Sequence, residues 1–236
     1  MTLPLFDEDG GLAPRSEIEW LSSQACVLRG LALARADAVL AALSIVSTQA
    51  PFRHMLTPGG ATMSVAMSNC GHLGWVSDRR GYHYSPMDPM SGQPWPAMPD
   101  ALRALADEAA RQAGFDAFEP DACLINRYEP GTRLSLHQDR DEQDFSQPIV
   151  SVSLGMPATF LFGGLTRSER PARVALWHGD VVVWGGVDRL RFHGVAPIKG
   201  DAHPLLGLVR INLTFRRAGP ALTPPAAHTP RRTAPP

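Results

Sequence analysis

The sequence predicts a mainly β fold with flanking helices, its β part an antiparallel sandwich or jelly roll. Two observations carry this. From residue 121 onward the chain breaks into seven short apolar or alternating runs, "ACLINRY", "IVSVSLG", "ATFLF", "RVALWH", "DVVVWG", "RFHGVA" and "LVRINLTFR", separated by Gly, Pro and Asp turns with no helix between them. That texture belongs to antiparallel strands rather than to alternating strand and helix. Ahead of them lie two segments with apolar residues at helical spacing, which place the helices first and the β roll after them.

The first helix is expected over residues 34–48, "ARADAVLAALSIVST", and the second over 99–114, opened by Pro99 or Asp100 and closed by Gly114. Between them residues 51–98 are rich in Gly, Pro, Met and aromatics without a sustained period and read as a long loop region. A loop of that length in a compact domain is functional or disordered, and Trp75, Tyr82, Tyr84 and Trp95 argue against disorder. The end of the chain, "AGPALTPPAAHTPRRTAPP", has almost nothing to bury and reads as a disordered Pro- and Ala-rich tail over 220–236.

With 236 residues, a hydrophobic content of 44% and a formal net charge of -1, the chain suits one soluble domain with a single core. No stretch approaches the run of about 18 apolar residues that a membrane helix needs. The start "MTLPLFDEDGG" is acidic where an export signal is basic, so the expected location is the cytoplasm. Cys26, Cys70 and Cys123 are odd in number and lack CxxC spacing, which reads as buried thiols rather than a disulfide framework or a zinc site. A near-neutral balance also excludes a surface that is basic all over, so any contact with nucleic acid must be local.

Chemistry enters at "LSLHQDRDE", residues 134–142. In an extended chain alternate side chains share a face, so His137 and Asp139 point the same way. With a histidine from a distant strand they would make a 2-His-1-carboxylate triad, which holds Fe(II) and leaves three coordination positions open. His193 in "RLRFHGVAPI" is the better candidate, because it sits in a predicted strand; His178, before Gly179 and Asp180, reads as a turn residue. In "RINLTFR" the side chains of Arg210, Asn212, Thr214 and Arg216 share the face opposite Ile211, Leu213 and Phe215. Two guanidinium groups on one face suit a dicarboxylate, since the planar fork meets a carboxylate with two parallel hydrogen bonds. Asn126 and Tyr128 share a face of "LINRY" and add polar contacts to the same ligand.

Together, HxD at 137 and 139, His193, "RxNxTFR" at 210–216, "NRY" at 126–128 and the segment "TPGGATMSVAMSNCGHLGW" resemble the AlkB family of Fe(II)- and 2-oxoglutarate-dependent dioxygenases. The resemblance covers residues 17–219. It implies a double-stranded β-helix (jelly-roll) core over about 121–217, a nucleotide-recognition lid over about 51–99, an N-terminal extension over 1–16, and a monomer. It implies iron on His137, Asp139 and His193, and 2-oxoglutarate on Arg210, Arg216, Asn126, Tyr128 and Asn212, with Arg216 on the distal carboxylate and O2 as second cosubstrate. Trp75 would stack on a flipped base, Tyr82, His83 and Tyr84 would touch the substrate strand, and Asp141 and Arg167 would flank the damaged base. The activity so implied is oxidative demethylation of bases of the 1-methyladenine and 3-methylcytosine type in single- or double-stranded DNA, and also in RNA, with release of formaldehyde and succinate. Two other classes fit parts of the pattern: a metal-free module gripping single strands with Trp75, Tyr82 and arginines, and a dioxygenase acting on a protein side chain or small metabolite.

Overall fold

The computed structural model describes residues 17–220; the expected extension over 1–16 and the tail from 221 onward lie outside those residues. In chain order the elements are β1 (Ile18–Ser22), β2 (Ala25–Leu28), α1 (Ala36–Gln49), β3 (Arg53–Leu56), β4 (Thr62–Gly71), β5 (Gly74–Asp78), β6 (Gly81–Ser85), α2 (Asp100–Gln112), β7 (Ala122–Tyr128), β8 (Leu134–His137), β9 (Ile149–Gly155), β10 (Ala158–Phe162), β11 (Ala172–Leu176), β12 (Val181–Trp184), β13 (His193–Val195) and β14 (Arg210–Arg216). Each of the seven apolar runs is a strand, and both helices form within two residues of their expected ends. Among the described residues no helix is long and apolar enough to cross a membrane.

The region 51–98 differs from expectation, because four strands, β3 to β6, run through what reads as loop. The reason is that β4 lies between β7 and β3 and is covered on both faces, Cys70 turning toward the helices and Val65 and Met67 into the roll. From Val65 to Gly71 β4 is buried throughout, and its even positions there are filled by Ala66, Ser68 and Cys70, so the alternation begun by Met63, Val65 and Met67 is weak and stops at Asn69.

Every strand pair is antiparallel. An eight-stranded sheet in the order β1-β2-β12-β9-β14-β7-β4-β3 packs against a four-stranded sheet in the order β11-β10-β13-β8, and β5-β6 forms a separate hairpin. The two sheets share a core in which Val27, Ile149, Val182 and Trp184 of the large sheet meet Phe160, Phe162, Val174 and Leu176 of the small one. On the far side of the large sheet α1 and α2 lie down with Val39, Ala42, Leu43 and Val46, and with Leu102, Leu105, Ala106, Ala109 and Ala110. These are spacings of three and four that put one face of each helix on the sheet, each buried leucine or valine contributing about 1.5–3 kcal/mol. Thus β14 has both faces covered, with Ile211, Leu213 and Phe215 against the helices and its polar side turned into the roll.

One buried acid fastens the edge hairpin to the segment that leads into β13. Asp188 accepts hydrogen bonds from the Ser22 hydroxyl at 2.6 Å, the Gln24 amide at 2.8 Å and Arg191 Nε at 2.5 Å. Burial on its own would raise its pKa, but the Ser22, Arg191 and Gln24 hydrogen bonds outweigh that and hold it below the ordinary carboxylate value. A group with a depressed folded pKa contributes stability above its unfolded value and loses it as pH falls. Asp188→Ala should therefore cost about 2 kcal/mol at pH 7, where charge-assisted hydrogen bonds contribute about 1.5–3 kcal/mol each before compensation. In urea unfolding the gap to wild type should persist down to about pH 4 and close below it; a gap that is the same at pH 7 and pH 3 would show that the carboxylate's charge has no part in it.

Candidate active site

The small sheet sets the first two groups. β8 and β13 pair so that His137 and His193 stand directly opposite, their ring centroids 4.4 Å apart. Gly194 permits this, because a Cβ there would lie 2.7 Å from the Leu134 carbonyl oxygen. Each imidazole donates its Nδ1–H to a carbonyl two residues back, His137 to Ser135 at 2.9 Å and His193 to Arg191 at 3.0 Å. That fixes the tautomer that leaves both Nε2 lone pairs facing inward. Between them stands Asp139, just past the end of β8, with Oδ1 3.6 Å from His137 Nε2 and Oδ2 3.7 Å from His193 Nε2. The three groups offer ligand atoms that all lie within 4.8 Å of one another. His178 is elsewhere, in a turn, its Nδ1 accepting the Gly155 amide at 2.9 Å.

Asp139 and His193 are both buried, and their surroundings hold them in the forms a metal requires. Burial alone would raise the pKa of Asp139, but Arg216 first, then His193 and His137, draw it far below the usual carboxylate range. Arg216 reaches its Oδ2 through Nε at 2.8 Å and Nη2 at 2.7 Å. Burial, then His137, pushes His193 down to about 4, so the ring is neutral at physiological pH, as a metal ligand must be. Trp184 and Phe160 close over His193 at 4.9 and 6.2 Å between centroids and keep that side apolar.

Further along β14, Arg210 is 1% exposed, with its guanidinium over the Tyr128 ring at 4.9 Å. Nη2 donates to Ser153 Oγ at 3.1 Å, whereas Nε and Nη1 make no well-directed hydrogen bond, nor do the Tyr128 hydroxyl and Asn126 Oδ1 beside them. The register explains the grouping, since Arg210 pairs with Tyr128 and Asn212 with Asn126 across β14 and β7. Orphaned buried donors cost about 1–3 kcal/mol each, so this corner lacks an anionic acceptor. Asn212 differs: its amide donates to Ser151 Oγ at 2.8 Å and the Val152 carbonyl at 3.0 Å, and its Oδ1 accepts from Thr214.

The three ligand groups, Arg210, Arg216 and the Asn126, Tyr128 and Asn212 side chains line one cavity of about 450 Å³, which Trp75, Tyr82 and exposed Asp141 also border. Trp75 stacks on Tyr82 at 5.3 Å and 17°, and its Nε1–H donates to Asp141 Oδ2 at 2.8 Å. The Asn69 side chain locks the Trp75 backbone from both sides, at 3.0 Å each. Tyr84, His83 and Arg167 are not part of the wall. Tyr84 instead donates to Glu142 Oε1 at 3.0 Å, His83 faces the opposite side of β6, and exposed Arg167 lies over the Phe192 ring at 5.7 Å.

Two residues of the site escape sequence reasoning. Glu142 is buried, its Oε1 3.2 Å from Arg216 Nε and its Oε2 3.5 Å from Arg189 Nη2. Burial, reinforced by Asp139, raises its pKa. Arg189, 2% exposed, also donates to the Asp139 and Gln147 carbonyls at 3.3 and 3.1 Å. In the sequence both sit in charged runs, "DRDE" and "DRLR", that look like solvated surface; only the odd density of charge beside an HxD pair hints otherwise.

Comparison with known proteins agrees with this geometry. Residues 24–216 match the model of the 2OG-Fe(II) oxygenase superfamily. The chain is 57% identical over 201 residues, 85% of its length and 93% of the relative's, to the alpha-ketoglutarate-dependent dioxygenase AlkB of Escherichia coli K12. It is 37% identical over 124 residues, 52% of its length but 31% of the relative's, to the nucleic acid dioxygenase ALKBH1 of Mus musculus. The solved structure of OsALKBH1 superimposes with a TM-score of 0.74 at 28% identity, covering 85% of this chain and 100% of that one. With a His-Asp-His cluster in a jelly roll, a family-model match over residues 24–216 and 57% identity to AlkB over 85% of its length, the chain belongs to the AlkB family of Fe(II)- and 2-oxoglutarate-dependent dioxygenases, not to a class of metal-free binding modules.

Proposed function

We propose that this enzyme restores N-methylated bases, of the 1-methyladenine and 3-methylcytosine type, in DNA and also in RNA, acting as a monomer in the cytoplasm. The observation that carries the reading is the single cavity, which joins a three-ligand cluster and an unmatched arginine at its floor to a stacked aromatic pair and a carboxylate at its mouth. The names of the relatives point the same way, one of them a nucleic acid dioxygenase.

The residues fit the groups this family uses. His137, Asp139 and His193 present two imidazole nitrogens and one carboxylate, the donor set suited to Fe(II). Arg210, with Tyr128 and Asn126, offers the orphaned polar atoms that the distal carboxylate of 2-oxoglutarate would satisfy. The reading of Arg216 changes: its Nε and Nη2 both meet Asp139, so we assign it to aiming the metal carboxylate and assign the distal one to Arg210. Asn212, saturated by Ser151, Val152 and Thr214, braces the floor. The chemistry that iron, O2 and 2-oxoglutarate supply when bound is hydroxylation of the N-methyl carbon, with succinate and carbon dioxide as coproducts and formaldehyde lost from the hydroxymethyl base.

The protein's own contribution is placement. A base inside a duplex cannot present its methyl group, so it is flipped out, at a cost of a few kcal/mol that is least where methylation has spoiled pairing. Stacking on Trp75 returns about 1–3 kcal/mol. Asp141, exposed at the mouth, meets the positive charge that N1 methylation of adenine or N3 methylation of cytosine fixes on the ring. Trp184, Phe160 and the buried face of β13 keep water from the methyl carbon.

Three measurements test this. Protein incubated with Fe(II), 2-oxoglutarate and methylated oligonucleotides should yield succinate and the unmodified base by mass spectrometry, and His193→Ala should lose both turnover and calorimetric metal binding; succinate without base repair would move the prime substrate to another class. Arg210→Lys, not conservative at a forked site, should weaken apparent 2-oxoglutarate affinity about tenfold with metal affinity kept, one hydrogen-bonded charge contact being about 1.4 kcal/mol or more. Unaltered 2-oxoglutarate dependence would return the anchor to Arg216. Asp141→Asn should lower kcat/KM for cationic lesions about tenfold and leave neutral ones such as N1-methylguanine nearly unchanged; an equal fall for both would make Asp141 a support for the lid through Trp75.

A further inference from the structure

The lid hairpin β5-β6 touches the metal segment through one rung. Trp75 and Tyr84 are register partners across the hairpin, and they reach two consecutive acids, Trp75 Nε1 to Asp141 at 2.8 Å and the Tyr84 hydroxyl to Glu142 at 3.0 Å. The two contacts lead to different places. Asp141 lies at the cavity mouth, whereas Glu142 is buried and continues inward, from Oε1 to Arg216 Nε at 3.2 Å, and Arg216 to Asp139 Oδ2 at 2.7 and 2.8 Å.

We propose that Tyr84 and Glu142 are positioning residues, forming with Arg216 a relay that ties the seating of the lid to the aim of the metal carboxylate Asp139. This rests on the metal assignment made above and needs nothing of the substrate reading. Two acids, Asp139 and Glu142, face two buried guanidinium groups, Arg189 and Arg216, so the group is electrically balanced. Arg216 stands between the acids and is shared: its Nε donates to Asp139 Oδ2 at 2.8 Å and lies 3.2 Å from Glu142 Oε1. A lid that lifts removes the Tyr84 donor, and Glu142, left with a vacant acceptor in a dry site, draws Arg216 toward itself and away from Asp139. A lid that closes restores the hydroxyl and returns Arg216 to Asp139. Because coupling between two equilibria is reciprocal, metal binding to a correctly aimed Asp139 must in turn hold the lid down.

The reciprocity gives a test that uses metal and cosubstrate but no nucleic acid and no turnover. Arg79 and Arg80 sit exposed at the tip of the hairpin and are trypsin sites. In the wild-type chain, Co(II) with 2-oxoglutarate under nitrogen should slow cleavage there at least about fivefold, the lower end of ordinary allosteric coupling. Tyr84→Phe, which deletes only the hydroxyl, should still bind Co(II) by calorimetry but lose the slowing, and Glu142→Gln should do the same. The Co(II) ligand-field spectrum should shift between wild type and Tyr84→Phe, which a hydroxyl that merely stabilised the hairpin would not cause. Metal-dependent protection that is absent in wild type, or intact in Tyr84→Phe, overturns the relay. If Glu142→Gln fails to fold or to hold metal, Tyr84→Phe decides alone. Failure to repair any oligonucleotide would refute the substrate assignment and leave this result standing.

Discussion

The buried pair of Asp139 and Arg216 is the interaction on which the rest of the site depends. A carboxylate placed between two imidazoles in a dry cavity is costly unless a cation sits against it, and removing one partner of such a pair typically costs about 3–5 kcal/mol. The cation must therefore be rigid, and the fold supplies rigidity by putting Arg216 on β14, a strand paired along its length with β7 on one side and β9 on the other and packed against two helices behind. The histidines are held by a different sheet, through the His137–His193 register of β8 and β13. The ligand cluster thus exists only where the two sheets face each other, and the side chains filling the space between them, Trp184 and Phe160 among them, set the distance.

From that constraint follows a division of labour along β14. Residues six apart on a strand have Cα atoms roughly 20 Å from each other along the chain direction, far enough for neighbouring strands to surround each with different groups. Arg216 donates to Asp139, and on the proposed reading Arg210, 1% exposed with unmatched donors, is left for the cosubstrate. On that reading two chemically identical residues on one face take different tasks because of what the fold places beside them: Asp139 and Glu142 near one, Tyr128 and Asn126 near the other.

This marks how far the sequence could be read. Periodicity alone put His137 with Asp139 and gathered Arg210, Asn212, Thr214 and Arg216 on one face, and seven runs delivered seven strands, because a strand's period of two is a local property. That Arg216 also lies beside Asp139 and Glu142 was not legible, because Glu142 is on a segment 74 positions earlier in the chain and nothing local brings the two together. The strands of 51–98 were hidden because their signals are short: β4 alternates only as far as Met67 and is buried throughout from Val65, and β5 and β6 are five residues each in a separate small sheet. Glu142 and Arg189 read as solvated charge, since nothing local says that each will find the other across the fold.

The acids at 139, 141 and 142 show how burial, rather than residue type, apportions function. Asp139 and Glu142 are buried with arginines, while Asp141 is exposed at the cavity mouth beside Trp75. On the proposed reading Asp141 has to discriminate by charge, yet in open solvent a pair of unit charges 4 Å apart interacts by only about 1 kcal/mol, against about 4 kcal/mol at the effective dielectric of a protein surface site. Its selectivity must then be conditional. A base that stacks fully on Trp75 covers the carboxylate, expels water and makes its own positive charge count; a base that enters loosely leaves Asp141 hydrated and is not distinguished. Discrimination is in this way generated by the same stacking that seats the base, and the site can stay open enough to release product without giving up the difference between a charged ring and a neutral one.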